Sequence, residues 1–367
     1  MEEVKQEVTI KDILKHYFSS LVIYGAILLF ITFCPALNQN IENRYLNYIA
    51  FFLIYYIGYA AFALPIYIYF KPLSILESRS VAIIEYIKRQ FNKNQTTEEW
   101  LKNIEPKENE KQAMVILFIK TFFGVYCVNL LCNKYLPGLG YDIDFLKEMF
   151  LQAINYTQTA GVYYGFAQYI DDTSDMWLTI IFMINTAVFA FSYLTEFGFL
   201  KNKIKTVDTT PLGIISCIMC YYPISILTGK LIIAYPNALV PVDNLVLRIT
   251  LNILVVAVNF GAMLAILRLG TKSGNLTNRG IVTGFPYNIV RHPNYSMEMM
   301  YIILTTIPMY LMNDFSILEK ILMTTGIFFW IYLYYLRAIT EERHLIKDPE
   351  YQNYVEKVKY RFIPKLF

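Results

Sequence analysis

Charged residues are scarce in this chain of 367 residues. They make up 17% of the sequence, against 56% hydrophobic residues, and the mean hydropathy is +0.39. A soluble domain has about 25% charged residues and a smaller apolar share. The composition therefore excludes an ordinary soluble domain and predicts an integral membrane protein.

Cysteine and histidine are also few, with five cysteines and three histidines. An odd number of cysteines in or beside apolar runs does not suit the disulfide framework of a secreted domain. Cys217 and Cys220 form one C-x-x-C pair, but no second pair or nearby histidine accompanies it, so we interpret them as packed thiols. A net charge of only +3 indicates no nucleic-acid surface. We expect neither a metal nor a nucleic-acid partner.

Long apolar runs, in contrast, are abundant. A helix needs about 20 mostly apolar residues to cross the hydrocarbon core of a membrane, and we identify eight such runs. They predict spans at residues 17–36, 47–70, 113–133, 176–199, 212–234, 245–267, 297–312 and 316–336. The seventh run is short and can extend backwards into the sequence that precedes it.

The basic residues fall in alternate loops: before the first span, between the second and third, after the fourth and after the sixth. By the positive-inside rule these loops and both termini are cytoplasmic, which agrees with an even number of spans. Residues 150–170 are uncharged, but a ninth span there would reverse the charge pattern, so we expect an outer-surface or re-entrant segment. The sequence thus predicts an all-α integral membrane protein with about eight transmembrane helices and both termini cytoplasmic.

One polar insertion, residues 71–112, interrupts the apolar runs on the cytoplasmic side. Ile83, Ile87 and Phe91 recur in it at helical spacing, which predicts an amphipathic helix. Thr96 and Glu99 predict a capping box at the start of a second helix. We divide the chain into an N-terminal transmembrane region, residues 1–240, whose function the sequence does not reveal, and a region with chemistry, residues 241–367.

The chemistry-bearing residues stand at the two ends of the last predicted hairpin. Arg291 and His292 precede its first helix, and Arg337, Glu341 and Glu342 end its second. Because a hairpin returns the chain to the same membrane face, these side chains should meet at the cytoplasmic edge of the membrane. Five ionisable groups that converge from two stretches of sequence favour a binding site over separate headgroup anchors.

The motifs themselves carry a resemblance. "RHPNY", then a helical hairpin, then "EERHL" and "PEYQNYVEKVKYRFIP" resemble the C-terminal catalytic region of the isoprenylcysteine carboxyl methyltransferase and phospholipid methyltransferase superfamily, over roughly the last 100 residues. The resemblance implies an integral membrane methyltransferase that binds S-adenosylmethionine on the cytoplasmic side and acts on a lipid, lipidated or isoprenoid-type acceptor with a carboxylate, thiol or amine. It implies catalytic roles for Arg337 and Glu341. The cofactor-binding residues that it implies are Tyr287, Arg291, His292, Pro293, Tyr295, Glu341 and Glu342.

Two alternatives remain open at this point. "RHPNYSME", with Asn294 and Glu298, also resembles the steroid and sterol reductases that use NADPH, although Glu341 and Glu342 favour the methyltransferase. The second alternative is a transporter or lipid-binding membrane protein without enzymatic activity. Transporters tend to contain related halves, and the sequence holds no second copy of the hairpin.

Overall fold

Helices account for nearly all the regular structure in the computed structural model, which describes residues 7–34, 48–92, 96–221, 224–225, 244–311 and 315–366. Six helical stretches are long and apolar enough to cross a membrane, so the chain is an all-α, multi-pass membrane protein. These stretches are Ile10–Phe33, Tyr48–Phe70, Glu108–Tyr135, Val162–Leu194, Leu245–Lys272 and Ile317–Leu345.

Six of the eight predicted spans coincide with these stretches. The predicted span at residues 297–312 lies on a helix, Pro293–Leu311, that does begin inside the preceding motif but is not among the six. The predicted span at residues 212–234 is described only at residues 212–221 and 224–225, where it includes a helix, Pro211–Ile218, and the rest lies outside the described residues. The count of eight therefore stays a prediction.

The chain divides by its contacts into two compact units, residues 1–133 and 134–367. The first contains five helices among its described residues: α1 Ile10–Phe33, α2 Tyr48–Phe70, α3 Arg79–Gln90, α4 Thr97–Asn103 and α5 Glu108–Leu130, with a 3-10 turn at Leu73–Ile75. This division follows packing, and the functional boundary expected at residue 240 stays a prediction.

The polar insertion folds in the first unit as the sequence predicts. The amphipathic helix is α3, and the capping box at Thr96 opens α4, where the Glu99 N–H donates to Thr96 Oγ1 over 3.2 Å. Arg89 of α3 donates two hydrogen bonds, of 2.8 and 2.6 Å, to the buried carboxylate of Glu110 in α5. This bidentate pair fixes α3 against α5.

The second unit contains the other seven helices of the described chain: α6 Leu136–Ala160, α7 Val162–Leu194, α8 Pro211–Ile218, α9 Leu245–Leu269, α10 Pro293–Leu311, α11 Ile317–Leu345 and α12 Pro349–Lys357. A π-helical turn, Leu131–Tyr135, precedes α6, and 3-10 turns lie at Gly198–Leu200 and Gly270–Lys272. Two short antiparallel strands, β1 Thr206–Val207 and β2 Thr277–Asn278, pair Thr206 with Asn278.

The segment at residues 150–170 forms no separate element. It supplies the end of α6 and the start of α7, which meet at Gly161 with φ +95°, so α7 begins at Val162 rather than near residue 176. The expected outer-surface or re-entrant placement of this segment stays a prediction. Just after the segment, Asp171 of α7 has two partners on α9. Asp171 lies 3.0 Å from Arg248 Nε and accepts a 2.8 Å hydrogen bond from Asn252.

The core of the second unit lies between α7, α9, α10 and α11. Trp330, Tyr301 and Leu178 are buried there. Gly261 of α9 lets α10 approach closely, because a Cβ at this position would stand 3.2 Å from the sulfur of Met297. This packing sets the position of α10 and hence of the motif that opens it.

Candidate functional site

Glu342, near the end of α11, is the centre of a cluster of charged side chains. Its Oε1 lies 2.8 Å from Arg291 Nε and 3.1 Å from His292 Nε2, and its Oε2 lies 2.8 Å from Arg361 Nη2. Arg291 and His292 are buried, at 9% and 7% exposure. We call these four residues the locking cluster, since they tie the start of α10 to the end of α11.

The C-terminal tail, residues 358–366, completes this cluster. Arg291 N–H donates to Tyr360 O and His292 N–H donates to Arg361 O, both over 2.9 Å. Arg291 Nη1 also donates to the carbonyls of Val358 and Lys359, each over 3.2 Å. The conspicuous "KVKYRFIP" ending therefore has a structural role here, because it satisfies the backbone and the guanidinium of the motif arginine.

Tyr287 and Pro293 have supporting positions. The Tyr287 ring is buried with Tyr351 and Tyr354, and its carbonyl accepts a 2.6 Å hydrogen bond from the Tyr354 hydroxyl. Burial raises the pKa of Tyr287 and of Tyr354, so both phenols are neutral. Pro293 is the first residue of α10, a position where the missing N–H of proline costs no helical hydrogen bond.

A small cavity lies beside the locking cluster, and its most polar wall is formed by α10 and α11. The Tyr295 hydroxyl donates a 2.9 Å hydrogen bond to Glu341 Oε2. Arg337 is buried and donates a 2.8 Å hydrogen bond to Asn275 Oδ1. Its guanidinium carbon lies 4.9 Å from the centre of the Tyr295 ring, 5.6 Å from that of Tyr334 and 5.7 Å from that of Tyr221.

The opposite wall comes from a part of the chain for which the sequence predicted no functional role. Residues 206–217 lead from β1 into α8, and the cavity is lined by Asp208, Gly213, Ser216, Cys217, Asn275, Leu276, Tyr295, Arg337, Thr340 and Glu341. Thr210 before Pro211 is a readable helix start, and the Gly213 N–H does donate to Thr210 Oγ1 over 3.3 Å. The sequence does not indicate, however, that this helix start lies beside α11.

The carboxylate of Asp208 on this wall has hydrogen-bond donors at one oxygen and none at the other. Its Oδ1 accepts hydrogen bonds from Thr210 N–H, over 2.9 Å, and from the Thr210 hydroxyl, over 2.7 Å. Its Oδ2 is buried without a hydrogen-bond partner, and Arg343 Nη2 lies 3.5 Å away. A Cβ at position 213 would stand 2.1 Å from this oxygen, so any larger residue there would require the Asp208 carboxylate to move.

The residues expected to form one pocket are therefore divided between two neighbouring sites. Tyr295, Arg337 and Glu341 line the cavity, whereas Arg291, His292 and Glu342 belong to the locking cluster. The His292 and Tyr295 rings, stacked with centroids 5.4 Å apart, join the two sites. Contact of any of these residues, and of Tyr287 and Pro293, with a cofactor stays a prediction.

The cavity is too small for a cofactor. Its volume is about 20 Å³, which is little more than one water molecule needs. Sites for small molecules usually measure about 300–1,000 Å³. A ligand of that size requires the walls formed by α8 and α11 to separate.

Comparison of the chain with protein-family models, with curated proteins and with solved structures finds no match.

Proposed function

We propose that the chain is a membrane-embedded methyltransferase that uses S-adenosylmethionine and modifies a lipid or isoprenoid-type acceptor. The observation that carries this proposal is the convergence of Glu341, Arg337 and the Tyr295 ring on one small cavity, beside the start of α10 and the end of α11. A carboxylate and an aromatic face suit a cation, and a guanidinium suits a carboxylate.

The charges of the cavity residues are complementary to those of the cofactor. Glu341 supplies a negative charge beside the Tyr295 ring for a positively charged sulfur. Asp208 Oδ2, which has an ion-pair contact with Arg343 but no hydrogen-bond donor, can accept from an ammonium or a ribose hydroxyl. Asn275 and Thr340 add an amide and a hydroxyl. When bound, S-adenosylmethionine supplies an electrophilic methyl group.

The chain's own contribution to the reaction is positioning. Arg337 is the residue that can orient an anionic acceptor, because its guanidinium is buried on the cavity wall and its position is set by Asn275 and three tyrosine rings. Arg291 is engaged by Glu342 and by tail carbonyls. Holding two reactants in line is worth several kcal/mol of the barrier, so we assign Arg337 and Glu341 as the catalytic residues.

The proposal includes a topology: eight spans, both termini cytoplasmic, and the cavity at the cytoplasmic edge of the membrane. It rests on the alternation of basic and non-basic loops. A tag at either terminus or in residues 94–110 should be accessible only from the cytoplasm, and one in residues 236–243 only from outside. Opposite accessibility of the two termini would refute the even number of spans.

Calorimetric titration of the detergent-purified chain with S-adenosylhomocysteine and with NADPH tests the activity. We expect binding of the first and no comparable binding of the second. Glu341→Gln should weaken binding by about 1.5–3 kcal/mol, the usual loss for a charge-assisted hydrogen bond. Glu342→Gln, one position further along α11, is the matched variant. Because Arg291, His292 and Arg361 engage the Glu342 carboxylate, we expect it to lower stability more than affinity. An equal loss of affinity would support the cofactor contact that the resemblance implies for Glu342.

The other outcomes of this titration are equally informative. Tight binding of NADPH alone would favour an NADPH-dependent reductase over the proposed methyltransferase. Binding of neither would favour a carrier or lipid-binding protein. If S-adenosylhomocysteine binds, mass spectrometry of membrane lipids after incubation with S-adenosylmethionine labelled in its methyl group identifies the acceptor.

A further inference from the structure

An open groove with a positive rim lies in the first unit, between the start of α1 and the end of α3. Its volume is about 590 Å³. Lys11 and Lys15 of α1 and Lys88 of α3 line it together with the apolar side chains Ile10, Leu14 and Phe18. None of its described lining residues is acidic.

Helical spacing explains why charge and apolar surface lie side by side. Leu14, Phe18 and Val22 follow one another at intervals of four residues, so they form one stripe along α1. They are exposed at 38%, 58% and 61%. Lys11 and Lys15 form the neighbouring stripe, and α1 continues to Phe33 as a candidate membrane span. The groove thus has a cationic end and an apolar track that leads into the membrane.

We propose that this groove binds an anionic phospholipid, with its headgroup at Lys11, Lys15 and Lys88 and an acyl chain along Leu14, Phe18 and Val22. Basic pockets between membrane helices attract anionic headgroups. Lysines that serve only as anchors extend singly toward the membrane surface, whereas these three reach one groove from two helices. The apolar stripe selects a lipid over a soluble phosphate.

A substitution of Glu85 tests the proposal, because it should increase the affinity for the lipid. Glu85 forms an ion pair with Lys15, and both side chains are about half exposed, at 54% and 51%. The carboxylate therefore competes with an anionic headgroup for Lys15. Its neutralisation should strengthen lipid binding, which a loss of folding cannot do.

Native mass spectrometry of the full chain in detergent, titrated with phosphatidylglycerol or phosphatidylcholine, measures the binding. We expect phosphatidylglycerol to bind the wild type about tenfold more tightly than phosphatidylcholine, because only phosphatidylglycerol has a net negative charge for the lysines to attract. This ratio corresponds to about 1.4 kcal/mol. The triple variant K11Q/K15Q/K88Q should lose this preference. The variant K102Q/K107Q/K111Q removes the same charge from exposed lysines of the same unit and should retain it.

Glu85→Gln should raise the affinity for phosphatidylglycerol about two- to fivefold and leave that for phosphatidylcholine unchanged, because it removes only a competing charge. Glycerol 3-phosphate, which has the charge without the acyl chains, should bind far more weakly than phosphatidylglycerol. Three results would each overturn the proposal: equal binding of the two lipids, equal losses in both triple variants, or no gain with Glu85→Gln. Equal binding of glycerol 3-phosphate and phosphatidylglycerol would also overturn it, in favour of a soluble anion.

Discussion

Glu341 and Glu342 are adjacent in the sequence, yet the regions around them differ in how far their charges are satisfied. In the locking cluster the Glu342 carboxylate has Arg291, His292 and Arg361 around it, and its side chain is 13% exposed. Glu341, on the cavity, accepts one hydrogen bond from Tyr295, lies 3.9 Å from His292 Nδ1 and is 37% exposed. The same residue type thus stabilises the fold where its partners are complete and is available to a ligand where they are not.

The largest effect that separates the two regions is expected for Glu342→Ala. This change leaves Arg291 and His292 buried without their carboxylate. Removing one partner of a buried charge cluster costs about 3–5 kcal/mol, so the midpoint of thermal unfolding in detergent should fall strongly.

Glu341→Ala is the matched control for this measurement. It removes one hydrogen bond and a longer contact with His292 from a partly exposed side chain, and should lower the unfolding free energy by only about 1 kcal/mol. Equal destabilisation by the two variants would contradict the division into a locking cluster and a cavity.

The next effect concerns Arg337 and depends on the proposed activity. Arg337→Lys keeps the charge but removes the planar fork that reaches Asn275 and packs over Tyr295. We expect a lower kcat/KM for transfer of a labelled methyl group to membrane lipids, by a factor that corresponds to about 1.5–3 kcal/mol of transition-state free energy. Stability should change little. Arg361→Lys, in the locking cluster, should show the reverse pattern. Unchanged transfer by Arg337→Lys would remove Arg337 from the reaction.

A smaller effect is expected on the rate at which a thiol reagent labels Cys217. This residue lines the cavity and is only 3% exposed, so a thiol reagent reaches it only when the walls separate. Saturation with S-adenosylhomocysteine should slow its labelling about tenfold, which corresponds to about 1.4 kcal/mol. Mass spectrometry locates the labelled cysteine, and Cys127, buried in α5, is the internal control whose rate should not change. Labelling of Cys217 at the same rate with ligand present would mean that the nucleotide binds elsewhere.

The sequence predicted these two regions unequally, for physical reasons. The meeting of Arg291 and His292 with Glu342 followed from a helical hairpin, which returns the chain to its starting face. The capping box at Thr96 followed from local chemistry in the same way. Asp208 and Cys217 could not be predicted, because their approach to α11 depends on packing between segments more than 100 residues apart. The roles of neighbouring glutamates could not be separated either, since adjacent helical residues point in different directions and their partners come from the tail and from α10.

The smallest effect is expected for Asp348, whose carboxylate has several partners. Asp348 accepts hydrogen bonds from Asn278, over 2.8 Å, and from Glu350 N–H, over 3.0 Å, and Lys205 lies 3.4 Å away. Burial alone would raise the pKa of Asp348, but these partners hold it below its ordinary value. A carboxyl with a lowered pKa stabilises the fold above about pH 4 and loses this contribution as the pH falls through its folded-state pKa.

Asp348→Asn should therefore cost about 1 kcal/mol of unfolding free energy at pH 7. The difference from wild type should shrink as the pH is lowered below about 4. Thermal unfolding of both proteins in detergent at several pH values between about 7 and 3 measures it. Asp144→Asn is the control, because Asp144 pairs with Lys147 on an exposed surface, where such a pair contributes little. A difference between Asp348→Asn and wild type that stays constant over this pH range would show that the variant acts through packing and not through the charge of Asp348.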